Sequence, residues 1–383
     1  MQYRVMGRTG ERVAALGLGC MRFPVVDGDD GCIDEPRATA LLREAIDAGV
    51  NYLDTAYPYH KGTSEPFVGR ALQGGYRDKV HLATKLPSWA IESAEDFDRY
   101  LDEQLQRLQT GHIDFYLLHA LKGEWWRKLR DLGVLSFLDR AVADGRIKYV
   151  GFSFHDEWAQ FKEIVDAYEW DFCQIQYNYM DEDIQAGSKG LYYAANKGLG
   201  VVVMEPLRGG SLATTVPEPV QSIWDEAEPK RTPAEWALRW VWDHPEVSVV
   251  LSGMNSRAQL HENCRVADEA TPGSLSTDDY ERIGRVRQIY RERIQIPCTS
   301  CGYCLPCPSG VNIPRIFSIM NDRFIYDATH WSQVMYNVAT NSDENAANCV
   351  QCGACEEVCP QQIPIMAKLQ ECHETLAQAE ESD

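Results

Sequence analysis

Up to residue 295 the chain alternates between short apolar, β-branched runs and longer stretches whose apolar positions recur at helical spacing. The runs occupy residues 15–21, 51–56, 80–85, 113–119, 148–154, 172–178, 200–206 and 247–253. Continuous apolar character over so few residues, bounded by turn formers, reads as a strand buried on both faces, as in a parallel sheet covered by helices. Amphipathic stretches at 36–49, 94–108 and 137–144 lie between the runs. The first has Pro36 near its start and Gly49 at its end, where a missing N–H and a left-handed backbone cost least. Eight strand-then-helix units predict an α/β fold, a closed parallel (β/α)8 barrel. An open doubly wound sheet is the structural rival, but its phosphate-binding turn uses a third glycine that Gly17-Leu18-Gly19-Cys20-Met21-Arg22 lacks.

Such a barrel takes about 250 residues, and the chain has 383. Cysteine placement marks what is left over, because eight of the thirteen cysteines fall between Cys298 and Cys359. We therefore read residues 1–275 as the barrel and 276–296 as a linking helix, with a charged helical pattern at 277–293. Residues 297–383 then form a small, α-rich, cofactor-dependent module with helical patterns at 311–321 and around 331–338. A net charge of −20 argues against the clustered Lys and Arg that phosphate backbones require, so no nucleic-acid partner is expected. No apolar run approaches the roughly 20 residues of a membrane span, and no basic-then-apolar leader is present. The expectation is a soluble, cytoplasmic protein with no membrane partner. There, grouped cysteines serve metal ligation rather than disulfides.

In a barrel the chemistry sits where strands end, at the C-terminal mouth. Asp54 lies near the end of the second run, Tyr59 in the loop after it, Lys85 ends the third and His119 the fourth. Taken singly, Asp54 and Lys85 read as an ordinary ion pair, Tyr59 as a loop aromatic and His119 as a satisfied strand-end histidine. Their joint spacing, one strand–helix unit apart, aims them into one cavity. A phenol with an ordinary pKa of about 10 becomes a proton donor near neutrality if a positive charge stabilises its anion. Lys85 supplies that charge, Asp54 keeps the ammonium protonated and oriented, and His119 hydrogen-bonds a small carbonyl substrate.

These residues sit in Asn51-Tyr52-Leu53-Asp54-Thr55-Ala56-Tyr57-Pro58-Tyr59, Ala83-Thr84-Lys85 and Asp114-Phe115-Tyr116-Leu117-Leu118-His119, which resemble the Asp, Tyr, Lys, His tetrad of the aldo/keto reductase family. The opening Tyr3-Arg4-Val5-Met6-Gly7-Arg8-Thr9-Gly10 resembles the hairpin that closes the barrel floor in that family. The resemblance implies an NADP(H)- or NAD(H)-dependent enzyme on a TIM-type barrel. It implies that Ser153 and Gln174 hydrogen-bond the nicotinamide carboxamide, and that Glu262 and Asn263 contact adenine. Phe154 and Met204 depart from it, standing where the family usually has Asn and a ring-stacking aromatic. Leu207-Arg208-Gly209-Gly210-Ser211 resembles a pyrophosphate loop, although by itself it reads equally as a flexible one. Gly253 and Gln259 replace the cations that hold the NADP 2′-phosphate in many members, and Arg257 is the remaining candidate for that contact. Trp89, Trp125, Trp126 and Tyr57 are candidates for an aromatic pocket wall.

The strongest signal is Cys298-x2-Cys301-x2-Cys304-x2-Cys307-Pro308 followed by Cys349-x2-Cys352-x2-Cys355-x3-Cys359-Pro360. Three thiolates at this spacing wrap one cubane, while the fourth Cys reaches the other cluster. Structural zinc is the alternative. By resemblance to bacterial two-cluster ferredoxins, Cys298, Cys301, Cys304 and Cys359 hold one 4Fe-4S cluster and Cys349, Cys352, Cys355 and Cys307 the second. The first set is one residue short before Cys307, and the helical segment between the sets is an insertion. Hydride transfer moves two electrons and a cubane one. The reading is therefore either a carbonyl oxidoreductase supported by its clusters or an electron-transfer component. In the second case a flavin or a redox protein with a basic face joins the two chemistries.

Overall fold

All eight predicted strands form. In the computed structural model, which describes residues 1–214, 216–298, 304–339, 344–359 and 361–377, two short strands come first, β1 (Tyr3–Val5) and β2 (Arg12–Ala14). Then follow β3 (Leu16–Gly19), β4 (Tyr52–Asp54), β5 (His81–Leu86), β6 (Ile113–Leu121), β7 (Ile147–Phe154), β8 (Phe172–Gln176), β9 (Gly200–Met204) and β10 (Val247–Ser252). β3 to β10 close as a parallel barrel in sequence order, with β10 pairing back onto β3.

Inward-facing side chains fill the cylinder. Phe115 meets Tyr52, Tyr149 and Phe172 at ring-centroid distances of 5.4, 5.1 and 5.1 Å, and Leu117, Val202 and Val249 are fully buried beside them. Each such burial contributes about 2 kcal/mol. The helices alternate with the strands as the amphipathic pattern requires. Glu35–Asp47 buries Ala38, Leu41, Leu42, Ala45 and Ile46, with Asp34 capping its first turn by accepting from Arg37 N.

β1 and β2 make the antiparallel hairpin expected at the floor. Met6 seals it against Gly200, which has no space for a Cβ: one would lie 2.4 Å from Met6 Sδ. Gly7 turns the chain with φ 49°, and its Cβ would fall 2.2 Å from Gly200 N. The Arg4 guanidinium donates to the carbonyls of Trp242, Val247 and His244 at 2.6, 2.7 and 3.0 Å, satisfying backbone groups near the start of β10. Low on β6, the Asp114 carboxylate accepts from Arg77, Lys148 and Leu82 N at 2.7, 2.8 and 3.0 Å.

By contact density the chain divides into one unit of Met1–Gly209 with Glu235–Ser276 and a second of Gly210–Ala234 with Thr277–Asp383. Helix Thr277–Glu292 belongs to the second, where Arg285 pairs with Glu226 at 2.5 and 2.7 Å. Helices Ile313–Ile325, Thr329–Ala339 and Ile365–Leu376 build this unit's core, in which Ile316, Phe317, Tyr336 and Leu376 are fully buried. The Asn321 side chain accepts from Gln295 N and Ile296 N and donates to Ile296 O, all at 2.8 to 3.0 Å. No described helix is long and apolar enough to cross a membrane.

Candidate functional site

Four side chains meet at the barrel mouth. Lys85 Nζ donates to Asp54 Oδ1 at 2.7 Å, to Thr55 O at 2.8 Å and to Tyr59 Oη at 3.3 Å. The Tyr59 and His119 rings lie 6.2 Å apart at 79°. Asp54 and Lys85 end up together because β4 and β5 pair in register, Asp54 opposite Ala83. Buried side chains on the outer face of β5 fix that strand: Gln104 Nε2 donates to Lys85 O at 3.0 Å and to Glu65 at 2.7 Å, and Thr84 Oγ1 donates to Glu65 at 2.7 Å.

Tyr59 is delivered by a strained turn. His60 and Lys61 have φ of 51° and 52°, a region that L side chains enter only where other contacts enforce it. The buried His60 ring does so by accepting from Phe23 N at 3.1 Å, which leaves Nδ1 protonated to donate to Asp30 O at 2.8 Å. His119 stands at an irregularity where the β6–β7 register shifts between Leu118 and Leu121. Ala120 has φ 51°, and its N–H donates to Ser153 Oγ at 2.7 Å.

Burial pushes the Tyr59 phenol above its ordinary pKa, with Lys85 opposing that rise and Asp54 adding to it. Burial also works against the Lys85 ammonium, yet Asp54 and Tyr59 more than offset it and the group is held above its usual range. Burial raises Asp54, with Lys85 and Gln174 pulling the other way. His119 falls well below an ordinary histidine through burial first and the Lys85 charge second, so its ring is neutral. The result is a protonated phenol against an ammonium, with a neutral imidazole across from it.

Among the described residues, His119 Nδ1 and Gln174 Oε1 at this mouth are buried and take no hydrogen bond. Gln174 Nε2 donates to Asp54 Oδ2 at 3.4 Å. Met204 ends β9, and Leu207 begins the loop after it, in which Gly209 has φ 66° and Gly210 φ 104°. Sequence reasoning missed Arg22, whose side chain packs across Gly253 and brings Nη2 to 3.7 Å from where a Gly209 Cβ would stand. Asn263 Nδ2 donates to Ser252 Oγ at 3.0 Å. Gln259 Oε1 accepts from Asn255 N at 2.9 Å and caps its own loop, while Arg257 pairs with Glu44 at 2.7 Å. Glu262 lies one residue before Asn263 on helix Arg257–Glu269, partly buried.

The aromatic wall is smaller than expected. Trp89, 40% exposed, meets His119 at 5.1 Å and Trp125 at 6.0 Å. Trp126 is buried and packs toward Trp170, because consecutive helical residues face different sides. Tyr57 turns away to Tyr100 and donates to Glu103 at 3.3 Å.

In the second unit, Cys298, Cys304, Cys307, Cys349, Cys355 and Cys359 pack partly buried against the apolar core, and Cys352 is exposed. Cys301 lies outside the described residues. A cavity of about 180 Å³ is lined by Cys307, Cys349, Cys352 and Cys355, by Cys304, and by apolar groups including Ile313, Met366 and Leu369. Cys307 therefore meets the later set despite its distance in sequence. Five thiols around an apolar chamber are more than enough to ligate a cluster at its corners.

Residues 15–288 match the profile of the Aldo/keto reductase family, and residues 297–363 match that of a 4Fe-4S dicluster domain. The uncharacterized oxidoreductase YrpG of Bacillus subtilis (strain 168) is 32% identical over 234 residues, 55% of this chain and 68% of that protein. L-galactose dehydrogenase of Arabidopsis thaliana is 26% identical over 294 residues, 70% of this chain and 89% of that protein. Aldo-keto reductase AKR11C1 from Bacillus halodurans, in its holo form, superposes with a TM-score of 0.62 at 27% identity, covering 74% of this chain and 96% of that one. Thermostable aldo-keto reductase Tm1743, solved with the inhibitor epalrestat, gives 0.62 at 25% identity, covering 74% and 99%. With the closed barrel and the cysteine-lined second unit, these matches establish that the chain belongs to the aldo/keto reductase family and is an oxidoreductase bearing a 4Fe-4S dicluster domain.

Proposed function

We propose that this enzyme reduces an aldehyde or ketone with NADP(H) or NAD(H), Tyr59 acting as the general acid. The carrying observation is Lys85 Nζ, within hydrogen-bond distance of both Asp54 Oδ1 and Tyr59 Oη. The nicotinamide supplies hydride to the carbonyl carbon. His119, neutral and aimed into the same space, donates to the carbonyl oxygen and orients it, and Tyr59 then releases its proton to that oxygen as negative charge builds there. Lys85 lowers the cost of the phenolate left behind, and Asp54 keeps Lys85 charged. Gln174 Oε1, buried without a hydrogen bond, is matched to the amide N–H of a carboxamide. Arg22 beside Gly209 supplies positive charge for a pyrophosphate.

Cys307 with Cys349, Cys352 and Cys355 would hold one cluster and Cys298, Cys301, Cys304 and Cys359 the other; the cavity that Cys307 shares with the later set supports its crossing, and Cys304 also reaches that cavity. In the test, anaerobically purified protein oxidises NAD(P)H on addition of a carbonyl compound, and Tyr59→Phe lowers kcat by about 10²- to 10⁴-fold. Equal rates for the two proteins would reject Tyr59 as the acid.

Exposure of Cys352, with Val350 and Val358 69% and 50% exposed beside it, favours a second reading in which an outside redox protein exchanges electrons with this cluster. Cluster bleaching by NAD(P)H under anaerobic conditions supports that reading, and clusters unchanged by every donor reject it.

A further inference from the structure

The cysteine-lined chamber of the second unit is walled thickly on one part of its lining and thinly on another. Ile313 and Leu369 line it and are each 1% exposed, part of the unit's core. Val350 and Val358 line it too, yet they stand 69% and 50% exposed, and Cys352 between them in sequence is exposed as well. Leu305, next to the lining residue Pro306, is also exposed. A side chain that touches both the chamber and water makes a wall one residue thick. A cluster seated there comes within one side chain of solvent.

The chemistry of this face fits a particular kind of partner. Aliphatic side chains gathered at the surface mark a contact site, and an apolar centre with a polar rim is the anatomy of a protein interface. Gln351, Glu357 and Gln361, exposed beside the two valines in sequence, supply that rim. From residue 297 on, three Lys or Arg stand against eleven Asp or Glu, a net −8. Lys368 pairs with Glu371 at 2.6 Å, Arg323 turns to Thr375 O at 3.5 Å, and Arg315 lies two positions after Ile313, on another face of its helix. No described residue lining the chamber is charged, and a cluster held by four thiolates is itself anionic. The complement is an apolar centre ringed by Lys and Arg.

We propose that the face formed by Leu305, Val350, Cys352 and Val358 docks a small basic one-electron carrier protein, with the cluster of Cys307, Cys349, Cys352 and Cys355 as the exit point. This rests on the electron-transfer reading. In each encounter the reduced cluster loses one electron and the oxidised carrier gains it; no bond forms and no proton moves.

The test uses the full cluster-loaded chain without oxygen, reduced by dithionite and desalted, then mixed with ferric cytochrome c, a basic haem protein, in a stopped-flow spectrometer. The second-order rate should fall as salt is raised. Glu357→Lys should lower it about fivefold or more at low salt, whereas Asp131→Lys, the same charge change at an exposed acid of the first unit, should lower it less than about twofold. Binding of redox-inert zinc-substituted cytochrome c, followed by fluorescence, should weaken in Glu357→Lys and Val350→Ser, each checked for an unchanged cluster spectrum. Clusters unchanged by every donor overturn the electron-transfer reading and this inference with it. Electron exchange in which Glu357→Lys and Asp131→Lys act alike, or in which acidic flavodoxin reacts as fast as cytochrome c, overturns the docking face alone. So does sedimentation showing a dimer of this chain that Val350→Ser splits.

Discussion

Replacing Asp54 by Asn tests whether the Lys85 charge depends on its buried counterion. The pair is separated by 2.7 Å, with the Lys85 and Asp54 side chains 1% and 3% exposed. At that distance the gross attraction is roughly 6 kcal/mol for an effective dielectric of about 20, much of it spent on removing both ions from water. Removing one partner leaves the other charge buried and unmatched, which costs about 3–5 kcal/mol. Asn still offers Lys85 a carbonyl oxygen, so the low end applies. For a domain of this size, about 3 kcal/mol lowers Tm by roughly 6–12 °C. The pH dependence has a definite sign. Lys85 is held above its ordinary value in the folded protein, so its contribution is complete below the ordinary 10.5 and is lost as pH rises through the folded value. Without Asp54, burial dominates, the ammonium gives up its proton at lower pH, and the alkaline limb of kcat moves toward neutrality. Anaerobic thermal melts and kcat profiles provide the measurement, with Asp54→Asn/Lys85→Met as the control that should regain part of the stability. A drop of less than about 3 °C together with an unmoved alkaline limb would refute the reasoning.

Asp114→Asn should cost about 2 kcal/mol, read from the urea midpoint, because a buried carboxylate that accepts from Arg77, Lys148 and Leu82 N loses its charge. Burial opposes the ionised Asp114, but these partners win and hold it below 3.8. Its contribution is therefore present above that value and is lost as pH falls through the folded one, so the variant and wild type should converge in acid. Gly7→Ala should destabilise by about 3 kcal/mol or more, since φ is 49° and the new Cβ strikes Gly200 N, while an unchanged melt would contradict the floor geometry. Cys352→Ser should remove about half of the bound iron and sulfide in anaerobic analysis, and full retention would exclude Cys352 as a ligand.

The strands were legible because burial on both faces writes continuous apolar runs, and the tetrad because those runs place its members at successive strand ends. What the sequence concealed depends on direction or on distant partners. Trp125 and Trp126 are neighbours, yet one reaches Trp89 and the other the core, since each helical step rotates the side chain by about 100°. Tyr57 carries the same ring as Tyr59 but is drawn to Glu103 and Arg107. The extension of β6 to Leu121 comes from a register shift that no local pattern announces. Arg22 gains meaning only from Gly209 and Gly253, residues far away in sequence.

The hairpin at the barrel floor sets an order on biosynthesis. Arg4 leaves the ribosome before any strand of the cylinder, yet its three carbonyl acceptors belong to Trp242, His244 and Val247, more than two hundred residues later. A nascent chain therefore carries its stopper exposed while most of the cylinder is being made. Closure waits for the last strand, and a ribosome stalled before β10 holds an open sheet with two unpaired edges, the state in which chaperone protection matters most.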